Sequence, residues 1–190
     1  MILTLPWFPP APAAGPLSIL DLPPDEWALE PKIDGIRVIW LEGRVYTRHG
    51  MLLSLSKGAD KLVGLLKGID VTLDGEWVPF QDTFVAFDLP DCPLDYDRRR
   101  EELVRILDST SEIGTCLNSS SLSAVSLATC NANVRLVADF TIGNFPQIYA
   151  SLKGYGAEGV VLKRRRSLYV RQTRPGMENR DWIKRRFRWD

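Results

Sequence analysis

The chain has 190 residues, 45% of them hydrophobic, and 24 Lys+Arg balance 24 Asp+Glu to a formal net charge of zero. That apolar fraction builds a real core and excludes global disorder, and the length suits one ordinary domain, or one large and one very small. No apolar run reaches the ~18 residues a membrane-spanning helix needs, and no lysine or arginine precedes Lys32, so the first residues do not read as a signal peptide. Cys92, Cys116 and Cys130 are an odd number at scattered spacing. They point to reduced thiols in a cytoplasmic protein rather than to a disulfide framework or a zinc site.

Residues 1–31 hold eight of the thirteen prolines. Proline fixes φ and lacks an N–H, so residues 1–30 are expected to run extended over the surface and pack on the core, with a short helix near Leu17–Leu22. Alternating or apolar runs predict strands at Ile36–Leu41, Arg44–Thr47, Val71–Val78 and Thr83–Leu89. Between them, Ser56–Leu66 places Leu62, Leu65 and Leu66 at helical spacing. Tyr96–Leu107 reads as a helix with Leu103, Val104 and Leu107 on one face and Arg98–Arg100 on the other. From Ser109 to Asn133, Ser, Thr and Asn fill 13 of 25 positions, which predicts loop with one helical piece. Val134–Phe140 follows as a strand, Phe145–Lys153 as a helix ended by Gly154, and Val160–Arg164 and Trp182–Arg186 as strands. Strands and helices mix without regular βαβ alternation, so the expected class is α+β with largely antiparallel sheets.

The zero net charge hides an asymmetry. From Lys163 to Asp190 there are 11 Lys+Arg against 3 Asp+Glu, and the remainder carries 13 against 21. A basic segment interleaved with Tyr169, Trp182, Phe187 and Trp189 on an acidic body fits a polyanionic partner better than a merely solubilising tail.

Six short pieces occur in one order: Glu30-Pro31-Lys32-Ile33-Asp34-Gly35-Ile36-Arg37, Arg48-His49-Gly50, Asp74-Gly75-Glu76, Phe87-Asp88, Glu158-Gly159-Val160-Val161-Leu162-Lys163, and Trp182-Ile183-Lys184-Arg185-Arg186. Each alone is weak. A lysine at a strand start is usually solvated, and a strand phenylalanine is usually core. Together they combine a potential amine nucleophile, carboxylates suited to Mg²⁺ or Mn²⁺, and several cations. A lysine amine attacks only when deprotonated, a form that burial or nearby positive charge favours. Lys163, Lys184 and Arg186 are the expected sources of that charge.

The ordered set resembles the covalent nucleotidyltransferases, the superfamily of polynucleotide ligases and mRNA capping enzymes. Within it the chain is most similar to the adenylyltransferase domain of ATP-dependent DNA ligases. The resemblance covers roughly Glu30 to Arg186 and implies an ATP-grasp-like fold: antiparallel sheets flanked by helices, with a nucleotide pocket between them. It implies that ATP adenylates Lys32 through a P–N bond, that AMP passes to a 5′-phosphate at a nick, and that a 3′-hydroxyl then closes the phosphodiester. On this pattern Asp34 meets the nucleotide and polynucleotide ends, and Glu30 accepts from the adenine amino group. Ile33 falls within the cofactor-binding run. Arg37 and Arg48 meet phosphates or the nucleic-acid end. Glu76 holds the ribose and helps place metal, Phe87 stacks on the purine, and Glu158 binds metal. Lys163 closes its motif, Lys184 contacts the α-phosphate, and Arg186 stands where ligases often carry lysine. Arg164, Arg165 and Arg166 are candidate backbone contacts.

An OB-fold domain normally follows in these families, and this sequence ends at Asp190, four residues after the last motif. The expectation is therefore residues 1–30 on a nucleotidyltransferase domain of residues 31–190, with no OB-fold. The implied protein is a monomer that stays off membranes and acts on nicked duplex DNA in the cytoplasm or nucleoid (a virus- or phage-encoded protein in host cytoplasm included); the alternatives are a minimal ligase, a ligase that takes another protein's help in place of the OB-fold, and a fragment of a longer protein. RNA ends, GTP as in capping enzymes, and a non-catalytic nucleic-acid-binding module are the alternatives.

Overall fold

The computed structural model describes residues 10–12, 22–109, 128–131, 133–140, 145–171 and 179–187. In chain order the elements are β1 (Pro10–Pro12), β2 (Trp27–Lys32), β3 (Ile36–Leu41), β4 (Arg44–Thr47), α1 (Ala59–Leu66), β5 (Leu73–Val78), β6 (Thr83–Asp88), α2 (Tyr96–Ser109), β7 (Ala128–Asn131), β8 (Val134–Leu136), α3 (Phe145–Gly154), β9 (Gly159–Arg164) and β10 (Asn179–Arg186). The chain divides into two units. One holds Gly35–Cys92 and Arg98–Ala138; the other holds the described residues up to Asp34, Pro93–Asp97 and Asp139–Asp190.

The first unit is built on a six-stranded sheet in the order β4-β3-β5-β6-β8-β7, antiparallel except for the parallel pair β6–β8. The pleat sorts its side chains by a period of two. Val38, Trp40, Leu73, Trp77, Phe84 and Ala86 form a core with Leu62 and Leu66 of α1 and Leu103 and Leu107 of α2. Each buried indole finds a carbonyl: Trp77 Nε1 donates to Lys57 O at 2.8 Å and Trp40 Nε1 to Ile69 O at 2.8 Å. The opposite face carries Arg37, Asp74 and Glu76.

The second unit is built on a four-stranded sheet in the order β1-β10-β9-β2, with β1 parallel to β10 and the other pairs antiparallel. Trp27 and Leu29 of β2, Val160 and Leu162 of β9, and Phe145, Ile148 and Leu152 of α3 form its core, with Ile183 packed against them. Gly159 starts β9 where no side chain fits: an added Cβ would lie 2.0 Å from Arg185 O. That oxygen belongs to the neighbouring strand and cannot move aside without opening the β9–β10 ladder. Gly159→Ala is expected to cost about 3 kcal/mol or more of stability, read as a lowered midpoint in urea unfolding.

The strands at Ile36–Leu41 and Arg44–Thr47 lie where the alternation places them. Ser56–Leu66 is divided: a 3-10 turn over Leu55–Lys57 is followed by α1, with Gly58 at φ 77° between them. The expected Val134–Phe140 strand stops at Leu136, and Phe140 forms an isolated bridge to Leu29. The larger correction is β2. Trp27–Glu30 are expected to run extended over the surface, but Trp27, Ala28 and Leu29 are buried in a sheet. Pro31 is tolerated because β2 is an edge strand of that sheet, where a missing N–H breaks no ladder. Most of Ser109–Asn133, Cys116, and the expected helix up to residue 21 lie outside the described residues; within the first, Ala128–Asn131 forms β7. Cys92 is a free thiol.

Candidate active site

In the second unit Lys32 lies opposite Gly159, Glu30 opposite Val161 and Ala28 opposite Lys163; across β9, Lys163 faces Trp182, Val161 faces Lys184 and Gly159 faces Arg186. Directly paired residues share a face of an antiparallel sheet. Glu30, Lys32, Lys163, Trp182, Lys184 and Arg186 therefore stand on one face, while Leu29, Val160, Leu162 and Ile183 turn to the core under α3. Three motifs that are far apart in sequence meet through strand register alone.

Lys32 closes β2 with its side chain 17% exposed, and its ammonium is paired with Glu158 Oε2, itself 21% exposed. The amine also lies 3.4 Å from the carbonyl of Ile33. The other oxygen of Glu158 receives Arg186 Nε at 2.7 Å, and Arg186 is 73% exposed. Glu158 is fixed from behind by its own backbone, whose carbonyl accepts from Phe187 N at 2.9 Å. One carboxylate thus holds the candidate nucleophile and an exposed cation. Lys184 is half-buried on the same face, and Asp34 is exposed in the turn after β2.

Deeper on this face, Glu30 is 2% exposed and receives Tyr96 Oη at 2.8 Å on Oε1 and Lys163 Nζ at 3.0 Å on Oε2. Lys163 is equally buried, its Nζ 4.2 Å from the ring centroid of Trp182 and 5.3 Å from that of Tyr96. The charge of Lys163 is directed at Glu30 and two aromatic faces, which corrects the expectation that it is one of the cations around Lys32. Tyr96 belongs to none of the six motifs. It lies 66 residues from Glu30, and no local pattern marks it.

The first unit carries its own constellation. Arg37 grips Asp74 with both arms of its guanidinium, Nε standing 2.9 Å from Oδ1, and lies 5.5 Å from the ring centroid of Phe87. Glu76 pairs in register with Arg37 and is half-buried. Gly35 is required here: an added Cβ would meet Trp77 O at 2.5 Å and Glu76 Cγ at 2.8 Å. Phe87 sits beside a register break, where Asp74 faces Asp88 across β5 and β6. Each aspartate has an arginine, Arg37 on Asp74 and Arg99 on Asp88, the latter with Nε 2.7 Å from Oδ1. Arg48 is exposed after β4, with Nε 3.1 Å from His49 Nε2.

The three arginines after Lys163 differ. Arg164 is half-exposed, over Trp27 at 5.2 Å and 3.8 Å from Asp181. Arg165 ties down its turn: NH1 pairs with Asp97 at 2.9 Å and Nε donates to Pro24 O at 3.1 Å. Arg166 is exposed.

Among the described residues no cluster of three or more His, Cys, Asp or Glu side chains is arranged to hold a metal ion. Glu158 is nonetheless a suitable ligand for Mg²⁺ or Mn²⁺ arriving on phosphate oxygens, since such ions bind through one or two carboxylates plus phosphate and water. No helix among the described residues is long and apolar enough to cross a membrane.

No family model and no curated protein matches this chain. Solved structures do. A Lig E DNA ligase, studied for DNA binding with a minimal scaffold, is 17% identical at a TM-score of 0.63, over 95% of this chain and 69% of that one. Chlorella virus DNA ligase-adenylate is 21% identical at 0.60, over 93% of this chain and 66% of that one. An archaeal ATP-dependent RNA ligase is 18% identical at 0.57, over 95% of this chain and 48% of that one. The chain thus spans about half to two thirds of the length of these proteins. With its mixed α+β sheets, the chain has the fold seen in these polynucleotide ligases.

Proposed function

We propose that this chain is an ATP-dependent polynucleotide ligase in which Lys32 carries AMP, with nicked duplex DNA as its substrate. The observation that supports it most is Lys32 held against Glu158 on a sheet face that also presents Lys184 and Arg186.

In the first step the free amine of Lys32 attacks the α-phosphorus of ATP. A P–N bond forms, the bond to the pyrophosphate oxygen breaks, and the amine releases a proton. Glu158 touches this amine, so it orients Nζ and stands within reach of the departing proton. Lys184 and Arg186 neutralise charge on the α-phosphate and the leaving pyrophosphate, the main work of phosphoryl-type transfer. Mg²⁺ or Mn²⁺ held through Glu158 would add charge neutralisation, and Glu76 is read as the carboxylate for the ribose. An oxygen of the 5′-phosphate next attacks the adenylated phosphorus and returns Lys32 as amine. The 3′-hydroxyl then attacks the activated 5′-phosphate and AMP leaves. In this reading Phe87 stacks on the purine, Ile33 and Arg37 lie along the nucleotide, and Asp34, Arg48, Arg164 and Arg166 meet the nucleic-acid end. Arg165 acts by holding the turn that carries its neighbours.

Sealing of nicked DNA compared with nicked RNA tests the substrate. Faster sealing of DNA supports the reading, and sealing of RNA alone replaces it with an RNA ligase. Nucleic-acid affinity should also fall about a hundredfold between roughly 50 and 200 mM salt if about four phosphates are neutralised. A flat salt profile in a gel-shift or fluorescence titration would count against a backbone-gripping enzyme.

A further inference from the structure

We infer that Tyr96 determines which purine this site accepts, by holding Glu30 as a hydrogen-bond acceptor for an amino group at C6 of the base. The inference rests on the assignment of Glu30 to the base and extends it to a residue outside every sequence motif. Glu30 lies two positions before Lys32 on β2, so the strand pleat puts both side chains on one face. Its two oxygens receive different donors: Lys163 Nζ at 3.0 Å on Oε2 and Tyr96 Oη at 2.8 Å on Oε1. A phenol has one proton to give. The oxygen of Tyr96 also stands 3.1 Å from Asp139 Oδ2, so two carboxylates compete for that proton.

Lys163 pairs with Glu30 as ammonium with carboxylate, at a position buried beneath Trp182. With Lys163 on one oxygen and the phenol on the other, Glu30 is oriented and can only accept further hydrogen bonds. Adenine offers an amino group at C6; guanine offers a carbonyl oxygen there, an acceptor facing an acceptor. A buried site built to receive a donor rejects a ligand that presents an acceptor at that position, because its own polar group is then left unmatched. Without the phenol, Glu30 is free to turn toward other donors, and the distinction weakens.

The test measures two things with ATP and GTP: covalent label on the wild-type protein, and equilibrium binding to Lys32→Ala, which needs no chemistry. Wild type is expected to favour ATP, and Tyr96→Phe to lower the ATP-to-GTP preference about tenfold or more. Glu30→Gln, whose amide both donates and accepts, should lower the same ratio and serves if Tyr96→Phe does not fold. A wild type without preference, or variants that weaken both nucleotides equally, would overturn the inference. No label but an ATP preference in binding that Tyr96→Phe removes would sustain it while removing the ligase reading. Binding of neither nucleotide would overturn both.

Discussion

Glu158→Gln is expected to leave the protein folded and to slow adenylation of Lys32 by roughly a hundredfold or more. Glutamine keeps the size of the side chain but loses the charge that pairs with Lys32 on one oxygen and Arg186 on the other. A nucleophile misplaced by about 1 Å already costs on the order of a hundredfold. The same substitution removes the carboxylate best placed to meet a metal on the phosphates. Stability should change little, because Glu158 is partly exposed and its backbone bond to Phe187 remains. The reading is a single-turnover rate of label transfer beside a melting curve. A rate within about threefold of wild type would mean that the Lys32–Glu158 contact has no role in the chemistry.

Arg99→Ala should have its largest effect on stability, about 3–5 kcal/mol. Both partners of the Arg99–Asp88 pair are buried, with side chains 0% and 1% exposed. Removing the arginine leaves a buried carboxylate facing Asp74 across the β5–β6 register break, and like charges directly opposite are destabilising. Arg99→Met combined with Asp88→Asn should recover much of the loss, because replacing both members of a buried pair is far milder than removing one. Urea unfolding of the two proteins checks this. Equal losses would show that the arginine acts through packing alone.

The motifs were legible because each is short and local: Lys32 with its Asp34-Gly35, Glu158 before an apolar run, Lys184 and Arg186 two apart on a strand. The alternation of β3 and β4 was legible for the same reason. What joins these pieces was not. Glu30 finds Tyr96 and Lys163 through strand register and a helix start, over separations that no local pattern encodes. The strand carrying Lys32 was hidden by its neighbours. Pro23, Pro24 and Pro31 dominate the composition around Trp27-Ala28-Leu29, and only its place at a sheet edge shows why Pro31 is compatible with it. Lys163 reads as one more cation in a basic stretch. Its burial under Trp182 comes from the β9–β10 register that sets the two opposite each other.

The measurement that bears most directly on the central claim is incubation with α-labelled ATP and Mg²⁺, followed by denaturation and mapping of the labelled peptide. Label that survives denaturation, maps to Lys32, and is absent from Lys32→Ala is the predicted result. Label on Lys32→Ala equal to wild type, or none on wild type while pre-adenylated nicks also go unsealed, would contradict it and leave a nucleic-acid-binding module on a ligase fold.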